Sequence, residues 1–329
     1  MRASQDYPQF DGCSNGSVTL PESRRQNDCA VWLSNSVSAE ENVVRSTAQE
    51  QTITSATKPL ADRRISPGFQ VSQCPNGKDA ASPILVESKG QMYQLMQLPD
   101  FIKLRDFAES QDNNWTKVYE DRPKALLVES RPEDLKPGEQ GTGFNIVRAT
   151  VQWDDVKPET LFNTLHDADY RKTWDGKMID GRNICQLDPR NDIGYYSLEL
   201  GWLISNRDFC NMRSWMEFSN GDFIIMNRSV DHPDCPEREG FVRARSILTG
   251  YYLTPTPSGG AKLIFISHTD PKGSLPAWLI NSFIGKVIPY TVNNLHDCAL
   301  KYDTWAAENR GADAIPTWRT PKVDWSAST

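Results

Sequence analysis

Between Asp270 and Asn309, apolar residues recur at helical spacing: Trp278, Leu279, Phe283, Val287, Ile288, Val292, Leu295, Ala299 and Trp305. Ser274 offers an N-cap and Pro276 falls in the first turn, so the pattern predicts a long helix. From Trp278 to Ile288 that helix is apolar on nearly every side, interrupted by Asn281, Lys286 and two small residues. A segment of this kind has neighbours, or a ligand, on more than one face. Pro289 lies inside the pattern and predicts a kink. Two readings follow: the last core helix of a large domain, or a hinged helix closing over a cavity built by the preceding strands.

Upstream, the period changes. Order is expected to begin near Leu98, where Phe101, Leu104, Arg105 and Ala108 fit one face of a short helix. Candidate strands follow at Trp115–Glu120, Ala125–Glu129 and Phe144–Trp153. The stretch from Pro158 to Asp175 reads as helical, with Leu161, Phe162 and Leu165 on its apolar face and a break near Asp167–Asp169. Alternation with period two then predicts strands near Met178–Gln186, Ile193–Leu200, Arg207–Phe218, Phe223–Val230, Gly240–Leu253 and Ala261–Thr269. Turn residues separate them, and several links are short enough for antiparallel neighbours. The expected fold is α+β: a curved antiparallel sheet wrapped around the final helix. One face of Arg207–Phe218 carries Arg207, Phe209, Asn211, Arg213 and Trp215, while Tyr196, Leu198 and Leu200 share a face of the preceding strand. That aromatic and polar mixture suits a cavity that holds an amphiphile or, equally, a solvated sheet face.

Residues 1 to about 92 are rich in Ser, Thr, Asn, Gln and Asp and are expected as a disordered tail, with a short helix around Ala39–Gln49. Residues 98–310 form the expected domain, and 311–329 a short flexible C-terminal tail. Hydrophobic residues make up 38% of the 329 and mean hydropathy is −0.57, which fits a chain that is not packed throughout. Net charge is −7 and no run of Lys or Arg occurs, which argues against nucleic acid and against anchorage on anionic headgroups. The first residues lack an apolar signal core, and no apolar run is long enough to span a bilayer. Seven cysteines at irregular spacing form no disulfide framework, so a reducing cytoplasm is the expected compartment.

The residues LHDADYRKTWD, NDIGYYS, SNRDF, RSW, IIMN, HPDCPER, VRA, TGY and DPKGSLPAWLIN come in the order and spacing of the START (StAR-related lipid-transfer) family. The chain resembles its phosphatidylcholine-transfer-protein-like branch over roughly Leu98–Arg310. The resemblance implies a helix-grip fold, a nine-stranded antiparallel sheet around a long C-terminal helix enclosing a lipid tunnel. It implies a carrier of one phosphatidylcholine or phosphatidylethanolamine between membranes, cytoplasmic and in transient membrane contact, with no cofactor and no metal. Arg171 and Asp175 match the family's phosphate-binding Arg and its acidic partner; a planar guanidinium suits phosphate oxygens. Tyr196, Leu198 and Phe209 match the choline cage, where aromatic faces hold a quaternary ammonium. The cage departs from the family pattern, because Tyr196 stands at a Trp position and Phe209 at a Tyr position. Asn211 and Thr249 fall near headgroup contacts. Trp202, Leu203 and Ile204 sit in the family's membrane-touching loop, and Trp278, Phe283 and Pro289 belong to the helical gate.

Other chemistry reads weakly. His166 and Asp167 lie near Asp169, and His268 near Asp270, without a nucleophile motif. His232 and Cys235 have metal-like spacing, but Pro233 and Pro236 interrupt it and no second pair exists. The alternatives to a carrier are an acyl-CoA thioesterase-like enzyme on the same fold, and a lipid-gated adaptor whose N-terminal tail holds protein partners.

Overall fold

Alternating strands from Thr116 to Asp270 build one large sheet, and a computed structural model gives its register. It describes residues 83–135, 140–200, 204–275, 277–311 and 313–326, with side chains left undescribed at 277–283 and 286. The expected helix at Ala39–Gln49 and most of the polar N-terminal stretch lie outside the described residues, as do Trp202, Leu203 and the side chains of Trp278 and Phe283.

The chain runs β1 (Leu85–Ser88), β2 (Gln91–Gln94), α1 (Leu98–Glu109), β3 (Thr116–Asp121), β4 (Leu126–Arg131) and β5 (Ile146–Trp153). Two short helices follow, α2 (Pro158–His166) and α3 (Ala168–Trp174). Then come β6 (Met178–Asp188), β7 (Asn191–Leu198), β8 (Asn206–Glu217), β9 (Phe223–Ser229), β10 (Phe241–Arg243), β11 (Arg245–Pro255), β12 (Ala261–Asp270) and the long helix α4 (Ala277–Arg310). The sheet order is β3-β4-β5-β12-β11-β9-β8-β7-β6, every neighbour antiparallel. The expected strand Gly240–Leu253 divides at Ala244. Its first piece, β10, pairs in parallel with the start of β8, beyond the end of β9.

The α2–α3 break falls where the sequence placed it, because Asp167 serves both helices. It ends α2, and its carboxylate accepts the backbone N–H of Asp169 and Tyr170 at the start of α3. The same buried carboxylate takes hydrogen bonds from Tyr302 (3.2 Å) and Arg310 (2.6 Å), fastening the C-terminal half of α4. Tyr170 adds a third tie by donating to the Cys298 carbonyl at 2.7 Å.

The two faces of the sheet bury different elements. On the outer face α1 inserts Phe101, Leu104 and Ala108, and Gly250 is what lets it approach. A Cβ there would lie 2.6 Å from the Leu104 side chain. On the inner face, α2 and α4 pack Leu161, Phe162, Ile284, Val292, Leu295 and Ala299 against Val128, Ala149, Val151 and Leu263.

Two boundaries differ from those expected. Order begins before Leu98: β1 and β2 pair as a hairpin, and Tyr93, Leu95 and Met96 are buried on the outer face of the sheet. Residues 313–326 are not a loose tail: Val323 bridges Phe218, and Trp325 stacks on Phe218 at 3.5 Å. Both segments carry too few apolar residues for periodicity to show; isolated aromatics anchor them.

Candidate functional site

Inner-face accessibility falls in steps along the strands. On β8, Phe209, Asn211 and Arg213 are half-buried, whereas Trp215, the next inward residue, is closed off. On β11, Thr249 and Tyr251 are half-buried and Leu253 is not exposed; on β12, Ser267 and Phe265 are half-buried and Leu263 is covered. Register places Trp215 opposite Ile225, and Leu253 opposite Leu263. The inner face is therefore open toward the end where β8 begins and β12 finishes, and it closes on a floor of Trp215, Ile225, Leu253 and Leu263.

Helix α3 delivers the charged pair to this open region. Arg171 and Asp175 stand one turn apart, and Arg171 Nε donates to Asp175 Oδ2 at 3.0 Å. Tyr196, reaching in from β7, donates its hydroxyl to the same oxygen at 2.9 Å. The guanidinium lies 4.8 Å over the Tyr196 ring and 5.7 Å from the Trp174 ring. Burial by itself would lower the Arg171 pKa; Tyr196, Tyr251 and Asp175 reverse the sign and hold it above its ordinary value. Burial is also the largest effect on Tyr196 and Tyr251, raising both phenols, with Arg171 opposing.

The Arg171 side chain keeps 32% of its surface open, against 14% for Asp175. Among the described residues only Nε of Arg171 has a hydrogen-bond acceptor, and neither terminal amine has one. A fork of this shape suits the oxygens of a phosphate or carboxylate.

Around the pair the structure gathers most of the site residues expected from sequence. Tyr196 and Phe209 are register partners with ring centroids 6.4 Å apart. Leu198, half-buried, lies one inward step further toward the open end. Asn211 and Thr249 sit deeper, joined by a hydrogen-bonded chain: Ser229 donates to Asn211 Oδ1 (2.7 Å), Ser246 N–H to Ser229 Oγ (2.8 Å), and the Ser246 and Thr249 hydroxyls are 2.8 Å apart. Sequence reasoning missed Tyr251 and Phe265, paired at 5.0 Å; alternation with Thr249 and with Ser267 was the available signal. It also left the ion pair of Arg213 with buried Asp192 (2.6 Å) unassigned. Of the expected gate, Ile204 is half-buried and Pro289 is buried within α4. Arg207 joins the two loops at the open end, donating to the carbonyls of Ser205, Pro271 (2.7 Å) and Lys272 (3.1 Å).

The histidines arrange themselves structurally. His166 is buried with Nδ1 3.3 Å from the Phe162 carbonyl, and His268 faces Glu133 at 2.9 Å. His232 lies 3.2 Å from Ser88 Oγ and 3.6 Å from Cys185 Sγ, which resembles a base beside two nucleophiles. However, the Asp234 N–H donates to His232 Nδ1 at 3.1 Å. The neutral ring therefore carries its proton on Nε2 and donates toward Ser88 and Cys185, the reverse of a general base. Among the described residues no three His, Cys, Asp or Glu side chains converge as a metal site. No described helix is long and apolar enough to cross a membrane.

Comparison with known proteins adds three findings. A START domain model matches residues 103–305. START domain-containing protein 10 of mouse is 32% identical over 217 residues, covering 65% of this chain and 72% of the relative; the human protein is 33% identical over 212 residues, covering 64% and 70%. The crystal structure of human STARD10 superposes with a TM-score of 0.60 at 32% identity, covering 66% of this chain and 84% of that one.

Proposed function

The chain belongs to the START domain family, and from that premise we propose that it binds one phospholipid in its inner-face cavity and transfers it between membranes. The observation that carries the reading is Arg171: a partly open charged fork on the inner side of the sheet, oriented by Asp175 and beside Tyr196, with no acceptor for its two terminal amines among the described residues. A lipid phosphate supplies the anionic oxygens this fork lacks, and Asp175 balances the charge when the cavity is empty. Tyr196 and Phe209 offer aromatic faces to a cationic headgroup, phosphatidylcholine or phosphatidylethanolamine. Acyl chains occupy the space down to the Trp215 floor, which replaces the apolar surroundings of the bilayer, so that no cofactor or ATP is called for. The protein works in the cytoplasm in transient contact with membranes, through the loop Gly201–Ile204 and the start of α4. Catalysis is disfavoured by the donor orientation of His232 beside Ser88 and Cys185.

Arg171→Ala should bind and transfer phosphatidylcholine roughly 10- to 100-fold less well, the range expected for a lost hydrogen bond to a charged group. Fluorescent phosphatidylcholine transfer between vesicles measures it, with circular dichroism confirming the fold. A folded Arg171→Ala protein that transfers at the parent rate removes the phosphate role.

A further inference from the structure

We infer that residues 313–326, which lie beyond the family match, back the floor of the cavity and set the length of acyl chain it accepts. The inference rests on the phospholipid reading above. Among the floor residues, Trp215 carries the Arg213 guanidinium 5.4 Å over its ring. On its far side stands the C-terminal segment. The Trp215 indole N–H donates to the Trp318 carbonyl at 2.7 Å. The Trp318 ring stacks parallel to His166 at 5.7 Å, and His166 meets the Trp215 ring edge-on at 4.9 Å. Trp318 is fixed in turn by its own N–H, which donates to Asn163 Oδ1 at 2.9 Å. The floor is thus two indoles with an imidazole between them, and the outer indole comes from the strap.

The segment is held by a buried carboxylate and by backbone contacts. Glu217, 1% exposed at the end of β8, receives Arg319 Nε at 3.0 Å, Arg319 Nη2 at 2.9 Å and the Thr320 N–H at 2.9 Å. All its described side-chain partners therefore come from this segment, and a buried carboxylate stripped of them would be left uncompensated. Arg319 also reaches Glu159 on α2, and Arg190 donates to the Pro321 carbonyl at 2.7 Å. A wall anchored this way does not yield when a chain end presses on Trp215. Removing the Trp318 indole leaves a void into which Trp215 and His166 relax, and the cavity deepens.

The test uses the full chain and a vesicle mixture of phosphatidylcholines with graded acyl length, followed by native mass spectrometry and extraction of the bound lipid. Trp318→Ala should shift the bound population at least one two-carbon unit longer, changing the preference between neighbouring lengths about tenfold. The backbone carbonyl that holds Trp215 survives this change. Trp318→Phe, which keeps a ring against His166, should stay close to the parent profile. Should Trp318→Ala fail to fold, Trp318→Leu carries the same comparison and must shift in the same direction by less. A folded variant loaded one-to-one with the parent length profile overturns the inference, whatever its melting temperature. A parent protein that takes up no phospholipid overturns the carrier reading beneath it.

Discussion

A buried histidine held between two indoles loses the option of charge. Burial pushes the His166 pKa well below its ordinary value, and the neighbouring Arg213 pushes it further, with the Phe162 carbonyl opposing. The folded protein therefore binds fewer protons than the unfolded chain once pH falls below about 6.5, so stability declines on acidification. From this one group the slope should reach about 1.4 kcal/mol per pH unit, beginning near pH 6.5 and ending at the lowered folded-state value. Urea midpoints at pH 7.5 and 5.5 measure it, and His166→Phe, which keeps a ring between the indoles, should flatten the dependence. Equal pH slopes in parent and variant would refute the assignment. Arg171 shows the opposite solution to burial: its charge is kept, because Asp175 and two phenols surround it. The spacing of Arg171 and Asp175 was legible in sequence. That Tyr196 and Tyr251 complete their surroundings was not, since register across four strands decides it.

Helix α4 is continuous from Ala277 to Arg310 despite Pro289, and its two halves are held differently. Beyond Pro289, Tyr302 and Arg310 are tied to Asp167, and Cys298 to Tyr170. The half before Pro289 lacks those ties; Gly285 in it lies against Val118 and Tyr119 of β3, and on the carrier reading proposed above it is the half that moves when lipid passes. A proline in a helix interior omits one backbone hydrogen bond and costs about 3 kcal/mol relative to alanine. Pro289→Ala should therefore stiffen the joint: amide exchange across 277–288 slows, the melting temperature rises, and lipid transfer slows several-fold while equilibrium loading is unchanged. Faster transfer by the variant would exclude a hinge at this position. The position of the helix and its proline followed from apolar spacing alone. The hairpin of β1 and β2 did not, because four-residue strands with Gln91 and Gln94 show no alternation. Residues 313–326 escaped for a related reason: Pro316 and Pro321 break any period, and Trp318 and Trp325 act singly.

At the largest scale, among the described residues, the inner face of the sheet is filled at one end and half-buried at the other. Period-two alternation reveals which residues face inward, but not whether a helix or a ligand covers them. Phe209 and Trp215 alternate identically on β8, yet one is half-buried and the other closed. Tyr251, Phe265, Asn227 and Arg213 face inward and stay half-buried, and on the carrier reading proposed above they leave room for an occupant. A ligand that binds only the folded state stabilises it by about 2.7 kcal/mol at a hundredfold excess over its dissociation constant. For a domain of this size that corresponds to a rise of roughly 5–10 °C in the melting temperature. Protein stripped of lipid should therefore melt lower by about that margin and recover on incubation with phosphatidylcholine vesicles. Stripped Arg171→Ala should recover much less, because the phosphate no longer finds its fork. Scanning calorimetry of both proteins, with and without vesicles, makes the comparison. Equal recovery in both would mean that the chains alone hold the cargo, and that Arg171 serves the empty cavity rather than the lipid.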